Sequence, residues 1–176
     1  MDLTLLNDIS YGLYVLGVQD KERPTGCIIN TCMQITSEDP IFAICIHRQN
    51  NTYEVLVRTR KFSISILSEQ TNPKVIGTFG FFSGKDRAKF DEFQYDMIEQ
   101  VPILKENCTA ALIFDVISAQ DMETHTVVYG RLTQTIKGVE AKPMTYDYYH
   151  KVIKGKAPKT APTFQPSTVI KSKSNR

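Results

Sequence analysis

The stretch TGCIINTCMQIT, Thr25 to Thr36, decides how the rest of the chain is read. Its β-branched, apolar content is that of a barrel strand, yet Asn30 and Thr31 stand side by side in its middle. On one continuous strand, side chains alternate between faces. Ile29, Thr31, Met33 and Ile35 then share one side, and Ile28, Asn30, Cys32 and Gln34 share the other. The first side reads as core, and the second carries amides and a thiol on a half-buried surface. Asn and Gln are poor strand formers, and a buried amide with no partner costs about 1–3 kcal/mol, so something satisfies these groups. A neighbouring strand or a solvated edge does so in the ordinary case, and the stretch taken alone favours that. The alternative is a flat, polar ligand lying along the sheet.

Outward from this stretch the pattern stays period-two. Tyr11, Leu13 and Val15 alternate with Gly12, Tyr14 and Leu16 in a first strand. The run Ile41 to Ile46 is apolar on both faces and reads as a central, buried strand. Phe62, Ile64 and Ile66 alternate with Ser63 and Ser65, a half-polar strand. Ala110 to Ile117 and His125 to Thr133 give two more, joined by the turn-like segment AQDMET. The fold class expected is mainly β, a closed or nearly closed barrel. Two short helices interrupt it. One starts at Thr52 with Tyr53, Leu56 and Val57 at helical spacing. The other is capped by Thr71 or Asn72, with Pro73 at its first position. Residues 1–160 are expected to form one domain, and 161–176 an extended basic tail rich in Pro, Lys, Ser and Thr.

Bulk composition narrows the function classes. A chain of 176 residues with 41% hydrophobic content can bury a sizeable core without disulfides or metals. The net charge is only +2, and part of it lies in the tail at Lys171, Lys173 and Arg176, which argues against a nucleic-acid surface. No apolar run approaches the ~20 residues of a membrane span, and the N-terminus lacks a signal-peptide pattern, so a cytoplasmic protein is expected. Cys27, Cys32, Cys45 and Cys108 show no CxxC pair and no His at metal-ligand spacing, so reduced thiols and no metal site are expected. Cys27 and Cys32, five apart on one strand, should point to opposite faces.

Two loops have the chemistry to hold an anion. His47 to Thr52 leads from a buried strand into a helix, where free N–H groups and the helix dipole favour negative charge. Arg48 adds a forked cation, and Asn50, Asn51 and Thr52 add short donors suited to a terminal phosphate. The plainer role for Asn51 and Thr52 is capping. In Ser83 to Phe90, Gly84 lets the backbone approach a ligand, and Lys85, Arg87 and Lys89 supply charge, although a solvated loop has the same composition. There is no Walker loop, GxGxxG motif or GxSxG elbow. A barrel with polar strand faces and two phosphate-suited loops fits a cofactor that brings its own chemistry.

Taken in order, GLYVLG, TGCIINTCMQITSEDP, IFAICI with HRQNNTYE, FSISILSE, IGTFGFFSGKDRAKF, THTVVYG and KPMTYDYYHKVIKGKAPKTAPT resemble the flavin reductase-like family. This is the family of FMN-binding split β-barrels, and the likeness is closest to flavoredoxins and the reductase modules that serve flavodiiron proteins. It runs from about Leu5 to Pro162. The resemblance implies a dimeric fold, a homodimer with one FMN per subunit near the interface. It also implies hydride transfer from NADH or NADPH to the flavin, then electron delivery to a flavodiiron or rubredoxin-type acceptor, with no protein general base. Residue by residue, Asn30, Thr31 and Cys32 would lie along the isoalloxazine, and Arg48, Asn50, Asn51 and Thr52 would surround the phosphate. Ser83, Gly84, Lys85 and Lys89 would close over it. His125, Thr126, Tyr148 and Tyr149 would border the flavin or the dimer seam. Relatives with a C-terminal rubredoxin carry two CxxC pairs that this chain lacks, so such a relay is expected on a separate protein. A non-catalytic flavin-binding carrier or sensor of the same fold is the rival reading, and an oligonucleotide-binding barrel is a third.

Overall fold

The computed structural model of the chain describes residues 2–21 and 23–164. Nine strands and three α-helices alternate along it. They are β1 (Tyr14–Gln19), β2 (Pro24–Ile29), β3 (Cys32–Gln34), β4 (Ile41–His47), α1 (Asn51–Thr59), β5 (Lys61–Leu67), α2 (Pro73–Phe81), β6 (Tyr95–Ile98), β7 (Val101–Leu104), β8 (Cys108–Met122), β9 (His125–Lys137) and α3 (Tyr146–Lys151). Seven of the strands form one antiparallel sheet in the order β2-β1-β5-β8-β9-β4-β3, and β6 and β7 pair as a separate hairpin. The mainly β expectation holds.

The two edges of the seven-stranded sheet are β2 and β3, and only Asn30 and Thr31 separate them in sequence. The sheet therefore curls until its edges meet at those two residues. The expectation of one unbroken strand from Thr25 to Thr36 fails here. The first half pairs with β1, Tyr14 opposite Ile29, whereas the second pairs with β4, Cys32 opposite Ile44. The alternation slips across the break. Cys27 and Ile29 point into the barrel before it, and Cys32 packs on the same core after it, while Met33 and Ile35 are 61% and 47% exposed. Cys27 and Cys32 thus contact one core instead of opposite faces. A strand period applies only within a strand.

Other boundaries also differ from those expected. The first strand begins at Tyr14, three residues late, because the chain before it leaves the regular ladder, bridging Gly12 to Thr145 while Leu13 N donates to Met144 O and Leu13 O accepts from Leu67 N. β8 and β9 are much longer than the apolar runs that marked them, and the segment AQDMET is mostly strand, with only Glu123 and Thr124 left in the turn. α1 starts one residue early behind the Asn50 cap, whose side chain accepts from Thr52 N. α2 has Asn72 as its cap and Pro73 at its start, as expected. The β6–β7 hairpin had not been foreseen. Its turn places Glu99 and Gln100 at positive φ, 46° and 67°, on residue types that carry no strong turn signal.

Two apolar cores result. The barrel interior holds Leu16, Ile44, Phe62, Ile64 and Phe114, and α1 lays Val55 and Leu56 into it. The second lies outside the barrel wall, where Leu13, Val15 and Leu67 meet Val75, Ile76 and Phe79 of α2 and Tyr149 of α3. No helix among the described residues is long and apolar enough to cross a membrane. The expected tail from residue 161 is described only as far as Phe164, and the rest of it lies outside the described residues.

Candidate flavin site

A groove opens between the barrel wall and the second core. Cys27 to Asn30 form its floor, Cys45 to His47 and the cap Asn50 one end, and α2 a side through Ile76, Phe79 and Gly80. Tyr146 and Tyr149 of α3 close the other side, and Lys156 to Pro162 cross over it. The break in the barrel thus leads directly to the start of α1.

At the α1 end the site is built from hydroxyls, amides and backbone. Thr52 is 1% exposed and Thr25 3%, and the hydroxyl of neither has a hydrogen-bond partner among the described residues. The Cys27 thiol lies beside Thr52 and Asn50 but makes no bond of ordinary geometry with them. Two orphaned buried hydroxyls cost about 1–3 kcal/mol each unless a ligand engages them. Gly84 is buried against this corner. A Cβ there would overlap the Thr25 hydroxyl and come to 2.9 Å from Asn51 Nδ2. Arg23 holds the loop in place by donating to the carbonyls of Gly84 and Lys85, at 3.0 Å each. Ser83 Oγ accepts from Lys85 N, and Lys85 Nζ reaches Glu54 at 3.2 Å on the exposed rim. The donor set, at the N-terminus of a nine-residue helix, fits a phosphate.

At the barrel-break end, Asn30 is buried with its amide in the groove. Its Nδ2 donates to Thr163 Oγ1 at 2.8 Å, its Oδ1 accepts from Thr31 Oγ1 at 3.2 Å, and Thr163 donates onward to Tyr146 OH at 3.0 Å. His47 and His125 pack edge to face with ring centroids 4.7 Å apart. His125 Nε2 lies 3.2 Å from Thr160 O, a carbonyl that can only accept, so Nε2 carries the proton. Burial, with His125 and Arg48 nearby, holds the His47 imidazole below its ordinary range.

Asn30 and Asn50 line the groove, Asn51, Thr52 and Gly84 gather at the corner beside Cys27 and Thr25, and Ser83 and Lys85 lie on the exposed loop next to it. Five expected contacts fall elsewhere. Arg48 turns to the β8–β9 turn, donating to Glu123 O and pairing with Asp121 at 3.5 Å, because its own N–H is held by Thr124 O. Lys89 is 2% exposed and donates to Gly26 O at 2.9 Å and Phe79 O at 3.3 Å, pinning β2 to α2 from inside. The Cys32 thiol faces the barrel core, where burial pushes its pKa up to about 12. Thr126 is buried, with its hydroxyl given to Asp121 at 2.7 Å. Tyr148 packs against the second core, while Tyr146 and Tyr149, three apart on one helical face, line the groove. Thr25, His47, Tyr146 and Thr163 had not been singled out. Thr25 lay inside the decisive stretch, but nothing in a lone threonine marks its hydroxyl as orphaned.

A family model described as a flavin reductase like domain matches residues 6–154. The chain belongs to the flavin reductase-like family. High molecular weight rubredoxin of Moorella thermoacetica is 38% identical to this flavin reductase-like chain over 165 residues, covering 93% of the chain and 72% of the relative. Ferric-chelate reductase (NAD(P)H) of Archaeoglobus fulgidus is 32% identical over 165 residues, covering 93% of the chain and 98% of the relative. Among solved structures, the FMN-binding protein of Thermus thermophilus with bound p-hydroxybenzaldehyde superposes with a TM-score of 0.67 at 22% identity, covering 73% of each chain. That last likeness is one of fold.

Proposed function

We propose that this flavin reductase-like chain is an FMN-dependent oxidoreductase. It receives hydride from NADH or NADPH and passes electrons to a rubredoxin-type or flavodiiron protein, or to a small acceptor. The observation that carries the reading is the adjacency of two polar sites. Orphaned hydroxyls and a glycine cradle at the α1 N-terminus lie beside Cys27 and Asn50, which line the same groove as the buried amide at the barrel break. A phosphate at one end and a flat heterocycle at the other match that layout. The names of the two relatives, one a rubredoxin and one an NAD(P)H reductase, support the donor and the class of acceptor.

When bound, FMN supplies the hydride and electron chemistry. The chain's own residues bind and orient. Thr25, Asn51, Thr52 and the Gly84 backbone hold the phosphate, with Lys85 adding charge from the rim. Asn30 offers its amide to the polar edge of the ring, and the apolar flank of Ile76 and Phe79 keeps water from the other side. A second copy of the chain completes the reading. Leu5, Leu6, Ile9, Phe81 and Phe82 are all more than half exposed, apolar surface that a homodimer would cover. With Cys27, Cys32, Cys45 and Cys108 all unpaired, the cytoplasm suits the protein.

The test is spectroscopic. The purified chain should take up FMN in about equimolar amount, and anaerobic NADH or NADPH should bleach its visible absorption. A chain that takes up no FMN overturns the proposal. Bound FMN that neither donor bleaches would instead mark an electron carrier of the same fold. Sedimentation velocity should give a dimer, and a monomer at micromolar concentration would remove that part of the reading.

A further inference from the structure

Residues 156–163 cross the groove as a strap. Before them the chain turns sharply, with Lys154 at φ 61° and Gly155 so close to the Tyr149 ring that a Cβ there would overlap it. Beyond this hinge the strap folds into two consecutive turns, Ala161 N to Pro158 O at 2.9 Å and Phe164 N to Ala161 O at 3.0 Å. Among the described residues it is fastened by few hydrogen bonds. Tyr149 OH donates to Lys156 O at 3.2 Å by the hinge, His125 holds the Thr160 carbonyl, and the Thr163 hydroxyl sits between Asn30 and Tyr146.

Beneath the strap the groove keeps about 40 Å³, room for a few waters, whereas a cofactor site takes about 300–1,000 Å³. The Asn30 amide assigned to the flavin is also occupied by Thr163. Admission of a cofactor therefore requires the far end of the strap to let go. The hinge at Lys154–Gly155 and the small number of fastenings allow that without disturbing the barrel.

We propose that residues 156–163 are a gate on the groove, latched by Thr163 to Asn30 and Tyr146, whose opening limits entry of the flavin. The inference rests on the FMN reading given above and deepens it.

Stopped-flow flavin fluorescence on the full chain tests the gate. In the wild type, the observed uptake rate should level off at high FMN concentration, at the rate of gate opening. Thr163→Val keeps the shape of the side chain and removes both latch bonds. It should raise that plateau by about two- to tenfold, the worth of one net hydrogen bond, and lower the dissociation constant by a like factor with the release rate unaltered. A second readout needs no flavin. Trypsin should cut after the exposed Lys159 faster in Thr163→Val than in the wild type. An unchanged uptake plateau overturns the gate, as does faster release with the dissociation constant unaltered, because the latch would then belong to the flavin-bound form. If the wild type takes up no FMN, the functional reading fails. The trypsin comparison then decides the latch alone, faster cutting supporting it and equal cutting overturning it.

Discussion

Thr52 carries a hydroxyl that finds no partner where it is buried, beside another such hydroxyl on Thr25. Replacing it by valine should therefore have opposite effects in the two states. Without flavin, Thr52→Val should gain about 1 kcal/mol, or about 2–4 °C in melting temperature for a chain of this length. With flavin, it should weaken FMN binding about tenfold by removing a bond to a charged group. A drop in the flavin-free melting temperature, or unaltered affinity, would show that the hydroxyl is not kept for a ligand. Gly84→Ala should weaken FMN about tenfold or more in the same titration, since the added methyl overlaps the Thr25 hydroxyl. The thiols make a separate case. Burial pushes Cys32 and Cys108 up to about 12, the latter helped by Glu106, so almost no thiolate exists at pH 8. Mass spectrometry after brief iodoacetamide treatment of the folded chain should find both unmodified, and prompt alkylation of either would contradict their placement.

Elements show how far a sequence pattern carries. The alternation of Phe62, Ile64 and Ile66 with Ser63 and Ser65 marked β5 correctly as a half-polar strand. Its serine face is buried, because the β6–β7 hairpin lies across it. Ser63 donates to Pro102 O, and Ser65 Oγ accepts from Leu104 N at 3.0 Å. Serine is the residue that permits this packing, small enough for a backbone to approach and able to satisfy it. Ser65→Ala should leave the Leu104 N–H buried without its partner and cost about 1–3 kcal/mol in urea unfolding, and a cost below about 0.3 kcal/mol would show that water replaces the bond. The hairpin escaped notice because its turn residues, Glu99 and Gln100, are ordinary types held at positive φ by the strands around them. The α2 start was legible because capping is local, Asn72 accepting from the N–H two residues on, whereas at α1 the cap is Asn50 and the expected caps Asn51 and Thr52 lie inside the helix. Lys89 was misplaced for the opposite reason. A lysine in a charged loop gives no sign of burial, and only the backbone carbonyls of Gly26 and Phe79 decide its fate.

For the molecule as a whole, acid is the informative variable. His47 has its proton affinity lowered in the folded state by burial, His125 and Arg48, against an ordinary value of 6.5. The unfolded chain binds that proton at higher pH than the folded one. The stabilising contribution is therefore present above about pH 6.5 and is lost as pH falls through the folded value. His47→Gln should flatten the decline in melting temperature between about pH 7 and pH 5, and an identical profile would place the acid sensitivity elsewhere. At this scale the barrel and both ends of the groove were readable, because strand periods, helix caps and anion-suited loops are written locally. The break at Asn30–Thr31 was not, since a strand that changes partner looks in sequence like a strand that continues.

That break also orders events in time. β1 and β2 pair as neighbours, as do β8 and β9, but β4 must find β9 across the long span from Ile41 to Arg131, and β5 must find β8. Such distant pairings pay their loop-closure entropy before any contact repays it, which makes them the slow part of assembly. The seam at Asn30–Thr31 exists only once both sides of the sheet are in place, so the complete groove is among the last surfaces to form. A ligand of that groove recognises the finished barrel alone. It should prolong the life of the native state by slowing unfolding, and leave the refolding rate where it was.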